Sequence, residues 1–327
     1  MRLLVTGAAG FIGSHYVRCL LGGRYPAFTD AEVTVLDKLT YSGNLDNLEP
    51  VVTSPRYQFV QGDIADNALL EDLVPGHDVI LNFAAESHVD RSIEAADAFV
   101  TTNIVGTQRL LDAALRHGTT RYVQVSTDEV YGSIDQGSWT EASPLEPNSP
   151  YSAAKASGDL FARAYHRTHG LPIIVTRCSN NYGPYQFPEK VIPLFVTNLI
   201  DGLSVPLYGD GLNVRDWLHV DDHCLGIQTA LERGEPGNVY NIGGGGALTN
   251  RELTERLLAA MGAGWDAVEM VEDRKGHDRR YSVDDSRLRA LGYAPRHNLE
   301  QGLYETIQWY RDNEAWWRPL KKGLGGR

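Results

Sequence analysis

Residues 3–21 read LLVTGAAGFIGSHYVRCLL, and this stretch decides the fold. Leu3-Leu4-Val5-Thr6 is an apolar run of strand length, whereas from Phe11 onward apolar residues recur at helical spacing. Between them lies Gly7-Ala8-Ala9-Gly10-Phe11-Ile12-Gly13, a GxxGxxG loop. Glycines in a strand-loop-helix unit permit a tight turn, close backbone approach to a pyrophosphate and close helix-strand packing. The unpaired N–H groups of the helix N-terminus then face the phosphates. Gly7, Gly10, Phe11, Ile12 and Gly13 are therefore candidate dinucleotide contacts. A glycine turn of purely structural role is the weaker reading, because the loop sits directly between a strand and a helix.

Outward from this loop the pattern repeats. Runs 2–6, 33–37, 57–61, 79–83, 121–126 and 173–177 read as strands, and 11–21, 67–74, 99–117 and 151–169 read as helices. His117-Gly118 and His169-Gly170 look like helix stops. Such alternation predicts an α/β chain with a doubly wound, parallel Rossmann sheet. After Cys178 the texture turns Pro- and Gly-rich, with short strands expected at 205–208 and 239–242 and a helix at 250–261. The division predicted is a dinucleotide-binding Rossmann domain over 1–178 and a smaller substrate-binding lobe over 179–327, parts of 215–245 being free to rejoin the first domain. The Trp309, Tyr310, Trp316, Trp317 stripe is expected to pack the C-terminal region, and residues 321–327 to be disordered.

Composition narrows the class. With 327 residues, 42% of them hydrophobic, the chain supports a sizeable core. A formal net charge of -12 argues against nucleic acid or an anionic membrane as partner, since both repel an acidic surface. No apolar stretch is long enough to span a bilayer, and the run at 3–5 leads straight into the glycine loop rather than forming a signal peptide. Cys19, Cys178 and Cys224 form no CxxC unit and read as buried thiols of a reducing compartment, with no metal site. A cytoplasmic location is expected.

The chemistry-bearing residues follow the strands. Asp37 ends the second strand, where a carboxylate accepts hydrogen bonds from ribose hydroxyls and repels a 2′-phosphate; this favours NAD over NADP, although Lys38 pulls the other way. Asp63-Ile64 follows the third strand and is placed to frame the adenine. Tyr151 and Lys155 form a YxxxK unit opening a helix, so both side chains share one face. A tyrosine hydroxyl with a pKa of about 10 must be brought toward neutrality to act as a base, and a nearby ammonium and an oxidised nicotinamide both supply the positive charge. At the end of the fifth strand stands Ser126-Thr127-Asp128-Glu129-Val130-Tyr131-Gly132. Two adjacent carboxylates beside the tyrosine allow acid-base chemistry beyond alcohol oxidation. If they share one site, repulsion raises one pKa and separates an acid from a base; spacing does not say which.

Together, the glycine loop, Asp37, the 126–132 segment and the Tyr151/Lys155 pair resemble the extended short-chain dehydrogenase/reductase family over nearly the whole chain. More narrowly, Asp37 to Thr40 with Gly43-Asn44, residues 83–89 and 176–184, Arg215-Asp216, and Asp273-Arg274 through Tyr281 resemble its dTDP-glucose 4,6-dehydratase branch. In the 4-epimerases of the same fold, small or hydroxylated residues replace the Asp-Glu pair.

The resemblance implies a reaction and a site. Thr127 would bind near the C4 hydroxyl while Tyr151 removes its proton and hydride passes to NAD. Glu129 would then take the C5 proton as Asp128 protonates the leaving C6 hydroxyl, and hydride would return to C6. Implied cofactor contacts are Lys38, Thr40, Asp63, Ile64, Ala84, Ala85, Thr102 and Asn181, besides Tyr151 and Lys155. Implied contacts for a nucleotide-diphosphate sugar are Ser87, Thr127, Asn180, Lys190, Val191, Pro206, Tyr208, Arg215, Asn250, Arg274 and His277, with Arg279 a further candidate for the diphosphate. Arg274-Lys275-Gly276-His277-Asp278 departs from the family's Arg-Pro-Gly-His-Asp at Lys275. Helices 99–117 and 151–169 imply a homodimer. The base, thymine or uracil, stays open from the residues, and thymine is favoured by the resemblance.

Overall fold

A computed structural model describes residues 1–323. Six strands, β1 (Arg2–Thr6), β2 (Glu32–Asp37), β3 (Tyr57–Gln61), β4 (Val79–Asn82), β5 (Arg121–Thr127) and β6 (Ile173–Cys178), match the predicted runs to within a residue or so. They are followed by β7 (Asn180–Tyr182), β8 (Val205–Tyr208), β9 (Val214–His219), β10 (Val239–Ile242), β11 (Ala247–Thr249) and β12 (Val268–Val271). The large sheet runs β10-β6-β5-β4-β1-β2-β3, every pairing parallel. Its central strands are buried on both faces, which is why they read as unbroken apolar runs. Sheet order reverses between β1 and β4, so the crevice beyond their C-terminal ends is the place for a ligand.

β10, inside the 215–245 stretch left free to rejoin the first domain, closes the large sheet against β6, and the helix Val220–Arg233 packs beside it. The buried side chains Leu218, Val220, Cys224 and Ile227 belong to the same core as Leu3 and Val5, which explains the return of this segment. The smaller lobe holds the sheets β11-β9-β7 and β12-β8 with helices Val191–Ile200, Asn250–Met261 and Leu299–Asp312. Its core gathers Phe195, Trp217, Leu257, Tyr310 and Trp317. Trp309 and Trp316 pack on Tyr185, so the aromatic stripe is packing, as expected.

Two local expectations change. The helix predicted at 99–117 contains a π-helical turn, Val100–Gly106, before continuing as Thr107–Arg116. Within it Asn103 clamps Glu86, accepting from its N–H at 2.9 Å and donating to its carbonyl at 3.0 Å; π turns often mark such functional positions. Residues 321–323, expected to be disordered, end the helix Glu314–Gly323, because Arg318 and Lys321 both bind Asp201, at 2.8 and 2.6 Å. The remainder of that expected tail, 324–327, lies outside the described residues. Among the described residues no helix is long and apolar enough to cross a membrane.

Candidate active site

The glycine loop makes the floor of a cavity at the switch point. Gly7 has φ +68, and a Cβ there would sit 2.5 Å from the Ala84 backbone; one on Gly13 would lie 2.8 Å from the Gly7 carbonyl oxygen. Strand, loop and helix therefore approach one another only with glycine at both positions. The helix Phe11–Leu21 begins at Gly10 with no side-chain cap, which leaves its first N–H groups to the cavity. Gly10, Phe11 and Ile12 line it as well.

Asp37 accepts the Ala9 N–H at 2.9 Å and the Leu39 N–H at 2.8 Å; burial raises its pKa and those two donors oppose the rise. Lys38 is held by Asp63 at 2.7 Å, so the cation that argued for a 2′-phosphate is already paired. Thr40, Ile64, Ala84, Ala85, Thr102 and Asn181 complete this end of the wall. Asn181 is oriented by His223 Nδ1 at 2.9 Å and donates to the Ser179 carbonyl at 2.9 Å.

Thr127, Glu129, Tyr151 and Lys155 meet at the other end of the same cavity. The helix Pro150–His169 brings the last two there: Ser149 caps it by accepting the Ser152 N–H at 3.1 Å, Pro150 occupies its first turn, and Gly170 ends it in the left-handed conformation. Lys155 donates to the Val125 carbonyl at 2.7 Å, and burial disfavours its ammonium. The expected lowering of the Tyr151 pKa by Lys155 is absent from the protein by itself. Burial first and Glu129 second push that hydroxyl well up, with only the Thr127 hydrogen bond countering.

The two carboxylates differ sharply in setting. Glu129 faces the cavity and accepts from Ser152 Oγ at 3.2 Å. Asp128 is 2% exposed, with Oδ2 making no hydrogen bond and Oδ1 receiving only a 3.4 Å contact from Thr127. Burial, then the charges of Glu129 and Asp216, raise its pKa well above the usual carboxylate range. Of the two carboxylates, Asp128 is the one whose burial favours the protonated form.

On the substrate side, Ser87, Asn180 and Lys190 line the same cavity, Lys190 donating to the Ser87 carbonyl at 2.9 Å. The remaining candidates come from the smaller lobe and lie beyond that cavity. Val191 starts a helix, Pro206 and Tyr208 sit on β8, Arg215 on β9, Asn250 at a helix start, and Arg274 and His277 in one loop. Several of them engage each other's surroundings. Arg215, buried, lies 4.2 Å over the Tyr281 ring and donates to the Asp278 carbonyl at 2.8 Å; Arg274 reaches Asp90 at 3.7 Å; His277 meets Tyr208 edge-on. Burial lowers the pKa of both Arg215 and Lys190, and Glu129 is among the groups that oppose the fall, which places both cations near it. Arg279 does not join them, being held by Asp210 at 2.9 and 3.0 Å in solvent. Gly276, at φ +65, supplies the bend that the Arg-Lys-Gly-His loop needs.

Sequence reasoning passed over Ser126, Cys178, Gln186, Phe187 and Glu189, all on the cavity wall. Ser126 and Cys178 end β5 and β6, and the rule that open sheets place ligands at C-terminal strand ends was the signal for them. The 186–189 loop carries no such signal. All three cysteines are free and buried, as expected. His15, Cys19 and Asp221 also converge, where Asp221 is held by His15 at 3.0 Å and by Arg24 at 2.6 Å. Buried oxygens without protein partners, Ser126 Oγ and Asn180 Oδ1, border the main cavity. With the glycine cradle and paired Lys38, they suit a dinucleotide lacking a 2′-phosphate.

Fold and site define a dinucleotide-dependent enzyme of the extended short-chain dehydrogenase/reductase class. The chain belongs to the GDP-mannose 4,6 dehydratase family, whose model matches residues 4–306. It is 61% identical over 322 residues to the dTDP-glucose 4,6-dehydratase of Streptomyces niveus, covering 98% of this chain and 96% of that one. With the enzyme of the same name from Streptomyces antibioticus it shares 63% over 331 residues, covering 100% and 97%. Among solved structures, the dTDP-glucose 4,6-dehydratase DesIV of Streptomyces venezuelae, crystallised with NAD bound, superposes with a TM-score of 0.97 at 62% identity, covering 98% of this chain and 100% of that one. The UDP-glucose 4-epimerase of Thermotoga maritima also superposes, with a TM-score of 0.88 at 31% identity, covering 96% and 100%. Dehydratase and epimerase thus share the backbone, and the reaction must be argued from the site.

Proposed function

We propose that the chain converts dTDP-glucose to dTDP-4-keto-6-deoxyglucose, a hydro-lyase reaction in deoxysugar biosynthesis that uses NAD without consuming it. The observation that carries this reading is the contrast between adjacent carboxylates, Asp128 buried in a setting that favours its protonated form, Glu129 open to the cavity. An epimerase needs no such pair, because it removes no water.

NAD, when bound, supplies the hydride acceptor, later the hydride donor, and a positive ring charge that offsets the burial of Tyr151. The glycine cradle, Asp37 and Asn181 would hold it, with Lys155 and Thr102 on the same cavity wall available to it. Thr127 and Tyr151 bind the C4 hydroxyl, and Tyr151 takes its proton as the C4 ketone forms. That ketone acidifies the C5 hydrogen. Glu129 removes the C5 proton, the C5 electron pair expels the C6 hydroxyl, and Asp128 protonates the departing oxygen so that water leaves. Glu129 then returns a proton to C5 as hydride reaches C6. Lys190, Arg215 and Arg274 face the diphosphate, with Asn180, Asn250 and His277 supporting it.

The base of the substrate is not decided by family membership, since the family model is described by a GDP sugar and the 61–63% relatives by a dTDP sugar; those relatives support thymine. A homodimer is supported by Val100, Leu160 and Phe161, apolar and 45%, 53% and 36% exposed on the two helices expected to pair. Free buried thiols support the cytoplasm.

The test is incubation of the purified protein with dTDP-glucose and no added NAD, with products identified by mass and NMR. Loss of one water and a 4-keto-6-deoxy product is expected. A C4 epimer of unchanged mass would overturn the reading.

A further inference from the structure

Among the described residues, Leu39 (φ 56) and Tyr185 (φ 67) are the non-glycine residues with left-handed backbone. Such conformations are costly for a residue with a side chain and persist where the surroundings hold them. Tyr185 is pinned by Arg18, 4.2 Å above its ring, and by Trp309 at 4.5 Å. Leu39 is tied through its N–H to Asp37. Each stands at the base of a segment that reaches over the cavity. After Leu39 come Thr40, Ser42 and Gly43, and after Tyr185 come Gln186, Phe187 and Glu189, all of them lining residues.

The two segments meet. Tyr41 donates its hydroxyl to Glu189 Oε1 at 2.9 Å and sets its ring edge-on to Phe187 at 5.6 Å. A third segment closes the junction: Arg91 lies 3.7 Å above the Tyr41 ring and 3.7 Å from Glu189 Oε2, with His88 Nε2 at 3.8 Å from the same oxygen. The Glu189 side chain is only 7% exposed, so this carboxylate is bound in a largely dry setting, where hydrogen bonds to charge are strong. Neither Tyr41 nor Arg91 lines the cavity, and the candidate catalytic groups do not use them.

We propose that Tyr41, Arg91 and Glu189 form a latch across the cavity that slows the escape of NAD between turnovers. Tyr41 and Arg91 are positioning residues, acting through Thr40, Ser42, Gly43 and Phe187. The proposal rests on the reading that NAD is restored in every cycle: a cofactor that ends each turnover in its starting form need not exchange, so a closed cavity does not limit the rate.

The experiment measures NAD release from the full chain, loaded with NAD, passed through a desalting column and then followed by the nucleotide appearing in the filtrate. Tyr41→Phe, which keeps the ring, and Arg91→Gln are each expected to speed release by about tenfold or more, the weight of a hydrogen bond to a charged group. Glu189→Gln should do the same, and the Tyr41→Phe/Glu189→Gln double variant should release NAD no faster than the quicker single one, because both act through one bond. Thermal unfolding of the NAD-free forms, expected to match the wild type within a few degrees, separates this effect from lost folding. Variants that hold NAD as long as the wild type overturn the latch alone. A wild type that never binds NAD overturns the latch together with the reading beneath it.

Discussion

The two ends of the cleft meet negative charge in opposite ways. At the dinucleotide end the donors are backbone N–H groups at the start of the helix Phe11–Leu21, and the one nearby cation, Lys38, is paired with Asp63. At the proposed sugar-nucleotide end the candidate donors are side chains, Lys190, Arg215 and Arg274, drawn from three separate segments and each already engaged by a protein oxygen. A backbone cradle depends on shape, and only an added Cβ disturbs it. A side-chain cluster depends on charge. The first is insensitive to most substitutions around it, and the second is sensitive to the loss of any one cation.

Breaking the cradle should have the largest effect. Gly7→Ala forces a left-handed alanine whose Cβ would lie 2.5 Å from the Ala84 backbone. NAD affinity measured by titration is expected to fall at least about a hundredfold, with some loss of thermal stability. A Gly7→Ala variant that binds NAD normally would show that the cradle is not shape-limited. At the opposite end, Arg215→Gln is expected to raise KM for the nucleotide sugar about 10- to 100-fold, the weight of a charge-assisted hydrogen bond, while leaving NAD binding intact. If NAD binding weakened equally, the two ends would not be independent.

Between them stands Asp128, and its prediction concerns stability. Its folded pKa is raised, so the folded state binds a proton that the unfolded state releases as pH climbs above the ordinary carboxylate value. Stability therefore declines as pH rises through that window, and Asp128→Asn, which has no proton to hold, escapes the decline. The variant should gain a few degrees in Tm over the wild type at pH 7 relative to pH 4, while losing dehydratase activity. The smallest effect belongs to Arg279→Gln. With its guanidinium paired to Asp210 in solvent, neither KM nor Tm should move measurably; a rise in KM would return Arg279 to the diphosphate site.

Much of this was legible in the residues. The strand-glycine-helix unit, the parallel order of β1 to β6 and the shared face of Tyr151 and Lys155 all depend on neighbours close in the chain, and local patterns carry local geometry. Adjacent Asp128 and Glu129 were visible as a pair for the same reason. By contrast, spacing left open which parts of 215–245 return to the large sheet, and the core shared with Leu218 and Ile227 draws β10 back to it. Folding also sorts the arginine and lysine candidates, leaving Arg279 to Asp210 and bringing Lys190 and Arg215 near Glu129. The Tyr41–Glu189 contact joins residues 148 positions apart and has no trace in spacing.

The sequence by itself determined the α/β order, the dinucleotide cradle and the candidate acid-base groups, because each is written in residues within one or two turns of each other. Only the tertiary structure decided which carboxylate is the more deeply buried, which cations lie near Glu129 and which segments meet beside the cavity. Those outcomes depend on burial and on distances between remote segments, and water exclusion is a property of the folded whole.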